Sequence, residues 1–239
     1  MVTLPALLGI IFYPVSRKAS ELISEYTVKV LAHRFFSILA CYKHFTFYGY
    51  HDHKNELPEQ FFIVSNHQSL IDIPLYVNFF RDKELRFVAK KELGRHVPLV
   101  SEILRSQQHC LISRKASPVT AMRTLEEFGN RIVAKKQIPV IFPEGTRSKD
   151  GTVGQFYTAG FRKLSETAKL PVVVCALDGG YRISSLRTFM TNLQNGYYRV
   201  KIVKIYPAPQ TKEDEIQILN EGKMLIQKQL AEWRDGRNI

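Results

Sequence analysis

From Phe45 onward, short apolar runs alternate with longer segments whose apolar residues recur every three to four positions. Runs at 45–49, 61–65, 85–89, 109–113, 138–142, 171–177 and 199–206 have strand character. Segments at about 73–80, 98–106, 118–135, 157–168 and 212–233 have helical spacing, and Ser117 followed by Pro118 marks a helix start. Repeated alternation of this kind predicts an α/β fold with a mostly parallel central sheet covered by helices. In the last run Arg199 and Lys201 alternate with Val200 and Ile202, which predicts one wet face and an edge position.

The first 44 residues follow a different pattern. Met1 to Tyr13 is almost wholly apolar, yet it lacks a basic lead and a small-x-small cleavage site, and it is shorter than the roughly 20 residues that span a bilayer. Ser16 to His44 has helical periodicity, with Leu22, Tyr26, Val30 and Ile38 interspersed with Arg17, Lys29, Arg34 and Lys43. An apolar lead followed by a basic amphipathic helix predicts an interfacial anchor, although the same apolar face can pack on the domain. The expected organisation is therefore an N-terminal helical membrane-associating segment at 1–44 and an α/β domain at 45–239.

Composition sharpens this picture through charge. Apolar residues make up 45% of the 239 and charged ones 23%, ordinary values that allow one ample core. The net charge of +12 implies an anionic partner. Aromatic residues fall in apolar strand and helix patterns and not in basic platforms, which argues against nucleic acid. The base-rich run from Arg81 to Arg95 is by default a solvated face, with phosphates of a carrier or lipid as the alternative. Cysteines at 41, 110 and 175 are odd in number, lack metal-ligand spacing and suit a reducing compartment. His51, Asp52 and His53 lie in a polar stretch without a third ligand and read as a surface loop, so no metal is expected.

Chemistry concentrates at strand ends. Asn66-His67-Gln68-Ser69-Leu70-Ile71-Asp72 places an imidazole and a carboxylate five residues apart. Residues five apart diverge in a helix and lie on opposite faces of a strand, so His67 and Asp72 meet only across a turn. A strand before them and Pro74 after them put the pair at a strand-to-helix corner, as a base with its orienting acid. The competing reading is a helix cap, since Ser69-x-x-Asp72 is also a capping-box pattern. Downstream, Phe142-Pro143-Glu144-Gly145-Thr146-Arg147-Ser148 follows another strand and combines a glycine, two hydroxyls and a guanidinium, the composition of an anion site. Arg114 follows a third. If the strands are parallel, all three corners share the sheet edge where open α/β folds bind ligands.

These stretches, in this order, resemble the glycerolipid acyltransferases and most closely the 1-acylglycerol-3-phosphate acyltransferases. Asn66-His67-Gln68-Ser69 with Asp72 is similar to the first family block, and Phe142 to Ser148 to the third. Ala89-Lys90-Lys91-Glu92-Leu93 with Pro98, then Leu111-Ile112-Ser113-Arg114, resembles the second, and Leu170-Pro171-Val172-Val173 the fourth. The pattern departs at Ser101, His109, Ser113, Ala159 and Cys175. The resemblance implies transfer of a fatty acyl group from acyl-CoA or acyl carrier protein to a lysophospholipid, with no further cofactor, on the cytoplasmic face of a membrane. It implies His67 as general base with Asp72 on its other nitrogen, and Lys90, Arg114, Glu144, Gly145, Thr146 and Arg147 positioning the glycerol phosphate. Two alternatives stand beside it. One is an acyltransferase for another lysolipid or dihydroxyacetone phosphate; the other is a non-catalytic basic module for an anionic membrane surface.

Overall fold

The computed structural model describes residues 17–96, 104–113, 115–184 and 189–236. Among the described residues, seven strands form one sheet: β1 (Thr46–Tyr50), β2 (Phe62–Ser65), β3 (Leu85–Lys90), β4 (Cys110–Ile112), β5 (Ile138–Ile141), β6 (Val172–Asp178) and β7 (Tyr197–Tyr206). Their order is β1-β7-β6-β2-β5-β3-β4, and every neighbouring pair is parallel except β6 with β7. All seven strands lie within two residues of where the hydrophobic runs predict them. The helices are α1 (Arg17–Lys43), α2 (Asp72–Phe79), α3 (Leu93–His96), α4 (Pro118–Ala134), α5 (Thr158–Ala168), α6 (Phe189–Asn192) and α7 (Lys212–Arg234).

The sheet separates two apolar layers. On one face Phe36 and Leu39 of α1 and Leu75, Tyr76 and Phe79 of α2 pack on Ile63, Val173, Cys175 and Leu177. On the other, Phe128 of α4, Phe161 and Leu164 of α5 and Ile226, Leu230 and Trp233 of α7 cover Phe62, Val64, Val172 and Val174. Strands β2, β5 and β6 are buried residue by residue, which is why they read as continuous apolar runs and not as alternating ones. Helix boundaries follow local chemistry. Ser117 accepts from Thr120 N with Pro118 at the first position of α4, and Thr211 and Asp214 form a reciprocal capping box on α7.

Two expectations are changed. β7 is not an edge strand: β1 pairs with it in parallel register from Thr46↔Tyr197 to Tyr50↔Lys201, so β1 is the edge. Arg199, which suggested a wet face, is buried and donates from Nη1 to Trp233 O at 2.9 Å. The expected helix at 98–106 falls largely outside the described residues, which show helix only at 104–106.

α1 packs on the domain through Phe36 and Leu39, and Glu25 accepts from buried Arg86 of β3 at 2.9 Å. Tyr26 and Ile38 of the same helix point outward. No helix among the described residues is long and apolar enough to cross a membrane. The apolar stretch Met1 to Tyr13 lies outside the described residues.

Candidate active site

β2, β5 and β3 run parallel, so their carboxyl ends bring His67, the Phe142–Ser148 corner and Lys90 to one sheet edge. β4 ends on the same edge; Arg114, two residues beyond it, lies outside the described residues. Of the three corners expected to converge, the His67 and Phe142–Ser148 corners therefore do so, and the Arg114 corner lies outside the described residues.

His67 and Asp72 meet across the turn from β2 into α2, with His67 Nδ1 2.6 Å from Asp72 Oδ2. Asp72 is wholly buried, and its oxygens are filled with donors. Oδ2 also accepts from Gln68 N at 2.7 Å; Oδ1 accepts from Ser69 N at 3.0 Å and from the Tyr198 hydroxyl. Backbone amides can only donate, so the carboxylate serves as acceptor throughout and the imidazole must present Nδ1–H to it. Nε2 is left as the lone-pair nitrogen, the arrangement a general base requires. The cap reading survives in part, because Asp72 does take the Ser69 amide at the head of α2. Ser69 Oγ, however, accepts from Ile71 N at 3.3 Å and does not cap Asp72.

The imidazole is held from other sides as well. Its ring stacks on Phe142, with centroids 4.2 Å apart and planes 12° apart. His67 N donates to Glu144 Oε1 at 2.8 Å, and His67 O accepts from Ser148 N at 2.8 Å. The β5 corner thus grips the backbone of the β2 corner at two points. Glu144 takes Gly154 N on its other oxygen at 2.8 Å; burial raises its pKa, and these two backbone hydrogen bonds oppose that rise. Its carboxylate is a brace between loops. Asn66 and Gln68 anchor the same turn to β6: Asn66 exchanges hydrogen bonds with Leu177 N and O at 3.0 and 2.9 Å, and Gln68 Nε2 donates to Leu177 O at 3.2 Å.

The β5 corner is open at its tip. Gly145 adopts φ +63°, a left-handed conformation, and a Cβ there would meet open space. Its N–H turns back to Phe142 O at 3.0 Å and is used within the corner itself. Ser148 Oγ donates to Asp150 and accepts from Gly151 N, so this hydroxyl organises the loop. Thr146 and Arg147 are exposed beside it, and Lys90 is half-buried at the end of β3. His51, Asp52 and His53 diverge: His51 stacks on Phe79, Asp52 pairs with Lys201 at 3.3 Å and His53 meets Glu56 at 3.0 Å.

Sequence reasoning missed Tyr198, whose hydroxyl reaches Asp72 from the start of β7. Only the antiparallel direction of that strand carries its first residues to the edge that holds His67.

The Acyltransferase family model matches residues 46–178. A 1-acyl-sn-glycerol-3-phosphate acyltransferase of Cocos nucifera is 35% identical over 127 residues, which cover 52% of this chain and 40% of that protein. Its counterpart in Helicobacter pylori is 32% identical over 123 residues, covering 51% of this chain and 49% of that protein. The matched stretch is thus less than half of those relatives' own length. The solved structure of the 1-acyl-sn-glycerophosphate (LPA) acyltransferase PlsC from Thermotoga maritima shares the fold, with a TM-score of 0.65 at 21% identity over 97% of this chain and 95% of that one. The family match takes in more than half of the chain, including both gripped corners, and on that ground this protein belongs to the Acyltransferase family.

Proposed function

We propose that this protein transfers a fatty acyl group from an acyl thioester to the sn-2 hydroxyl of 1-acylglycerol-3-phosphate, giving phosphatidic acid. One observation carries the reading: Asp72, filled with donors, fixes His67 in the tautomer that leaves Nε2 as acceptor. The names of the matched relatives supply the acceptor class. His67 Nε2 takes the proton from the acceptor hydroxyl as its oxygen attacks the thioester carbonyl. Asp72 stabilises the imidazolium that forms. The tetrahedral oxyanion then collapses, the carbon–sulfur bond breaks, and the leaving thiolate takes the proton back from Nε2. No acyl-enzyme and no metal or organic cofactor enters this step, and either acyl-CoA or acyl carrier protein fits as donor.

Arg147, Thr146 and Lys90 would hold the acceptor phosphate at the open corner, with Arg114 joining from the end of β4. Glu144 and Gly145 would act by shaping that corner. The N-terminal 44 residues would bring the α/β domain to an anionic membrane on its cytoplasmic face, a reading supported by the net charge of +12 and the outward Tyr26 and Ile38.

The test is acyl transfer by purified protein to a panel of lysophospholipids presented in anionic vesicles at low and high salt. His67→Ala should cost about 10²–10⁴-fold in kcat without unfolding. Arg147→Ala should cost roughly 10- to 150-fold in kcat/KM, mostly in KM, on phosphorylated acceptors and little on unphosphorylated ones. Salt should slow transfer from the vesicle surface. Near wild-type rates in His67→Ala would remove the base assignment, and equal Arg147 losses on both acceptor types would remove the phosphate clamp.

A further inference from the structure

The last turn of α7 is fastened to the sheet close to His67. Arg199 of β7 donates to Trp233 O at 2.9 Å, and Trp233 is buried against Tyr50. The next residue, Arg234, sends its guanidinium to two places. Nη2 donates to Asp178 Oδ1 at 2.7 Å and to Gly151 O at 2.8 Å, and Nε reaches Asp178 Oδ2 at 3.5 Å. Asp178 is wholly buried, and the guanidinium lies over the Tyr181 ring at 5.3 Å.

Each of those contacts leads on to His67. Asp178 Oδ1 also accepts from Gln68 Nε2 at 3.4 Å, while Gln68 N donates to Asp72 Oδ2, the atom that receives His67 Nδ1–H. Gly151 opens the segment ending at Gly154, whose N–H fills Glu144 Oε2 while Oε1 receives His67 N. Gly151 itself is at φ +83°, and a Cβ there would lie 2.5 Å from Arg234 and 2.7 Å from Tyr181, so this strand of loop is fitted against the guanidinium.

We propose that Arg234 is a positioning residue for His67: one guanidinium, through Asp178 and Gly151, sets both the side-chain partner and the backbone partner of the imidazole. The inference rests on the acyl-transfer reading for its kinetic consequence but not for its geometry. Lys cannot replace Arg here, because the two protons of Nη2 serve an anion and a carbonyl at once, with Nε as a second prong.

The test combines kinetics with a signal that needs no turnover. In wild type, the His67 Nδ1–H held by Asp72 should give a low-field proton resonance, assigned by its loss in His67→Ala. Arg234→Ala should broaden or abolish that resonance. It should also lower kcat by roughly 10- to 100-fold, with both substrate KM values within about twofold, because a displaced base slows chemistry more than binding. Arg234→Lys should recover little of either. Because Arg234→Ala leaves Asp178 buried without its cation, the paired variant Asp178→Asn with Arg234→Gln is measured beside it and should show the same two losses in a folded protein.

An unchanged resonance with kcat within about twofold of wild type in either variant overturns the proposal. So does a loss of both that merely tracks the unfolded fraction, or failure of both variants to fold. Should the wild type show no acyl transfer at all, the functional reading falls, and the resonance alone still decides whether Arg234 sets His67.

Discussion

His67 and His109 are two imidazoles in one domain with opposite partners. His67 sits beyond the carboxyl end of β2, partly open to solvent, with Nδ1 on the Asp72 carboxylate. His109 precedes β4 and is buried. Its Nδ1 accepts from Phe87 N at 2.9 Å and its Nε2 meets Gln107 Oε1 at 2.9 Å. The proton is therefore on Nδ1 in His67 and on Nε2 in His109. The electrostatics differ in the same sense. An anion faces the first ring; the second is desolvated, and Arg86 and Arg131 add to that burial to push its pKa down to about 3. A histidine in this fold thus takes one tautomer or the other according to the groups its neighbours present. Residue type alone says little.

The sharpest way to break the comparison is to remove the anion from the His67 side while keeping its shape. Asp72→Asn puts an amide nitrogen where one carboxylate oxygen was, and each oxygen faces two donors. Whichever oxygen it replaces, a backbone N–H at Gln68 or Ser69 loses its partner, and where it replaces Oδ2 His67 also turns to the tautomer whose Nε2 carries the proton. The first costs about 1–3 kcal/mol of stability and the second removes the base, so kcat should fall roughly 10²–10⁴-fold. Steady-state rates and a urea midpoint check both. A fall below tenfold in kcat would place Asp72 with the helix cap and not with the chemistry.

The second test addresses His109 through pH. Its folded pKa lies below the unfolded value of 6.5, so the folded state refuses a proton that the unfolded chain takes. The stability it contributes is complete above about pH 6.5 and is lost as pH falls toward about 3. Within that window the slope should be up to about 1.4 kcal/mol per pH unit, added to whatever the carboxylates contribute. His109→Gln keeps an acceptor for Phe87 N without the titration. Urea midpoints against pH should give a flatter acid limb in the variant, and parallel limbs would show that this ring does not resist protonation.

These contacts also show what the residue pattern could and could not reveal. Strands β2, β5 and β6 were legible because burial on both faces leaves an unbroken apolar run. His67 and Asp72 were legible because they meet across five residues, within the reach of local geometry. The contacts of Tyr198, Gln68, Asp178 and Arg234 were not, since Tyr198 meets Asp72 across 126 positions and Gln68 meets Asp178 across 110. Such pairs exist only once strand order and direction are set. The edge position expected for β7 failed for a related reason. Arg199 alternating with valine looks solvated in one dimension, but the carbonyl of Trp233 and the rings of Tyr197 and Tyr48 receive it in three. Glu144, which the family resemblance implies in positioning the glycerol phosphate, holds two backbone amides 77 and 10 residues away.

The smallest effect is expected at the contact that most refines the His67 half. Tyr198 donates its hydroxyl to Asp72 Oδ1 and is wholly buried, and the neighbouring carboxylate adds to burial in holding that phenol in its neutral, donating form. Tyr198→Phe removes one of four donors and leaves the ring in place. Asp72 then keeps both backbone amides and His67, so the geometry should persist and kcat should drop by less than about tenfold. The direction of the pH profile is the more telling quantity. A carboxylate with one donor fewer is less satisfied by the protein and attracts the proton on Nδ1 more strongly, which favours the imidazolium. The acid limb of kcat/KM should therefore move to higher pH in the variant. A purely structural contact would lower the plateau and the urea midpoint while leaving that limb where it was. The measurement is kcat/KM across the acid range for both proteins, and a limb that stays fixed or moves to lower pH would mean that Tyr198 supports the wall of the site without tuning its base.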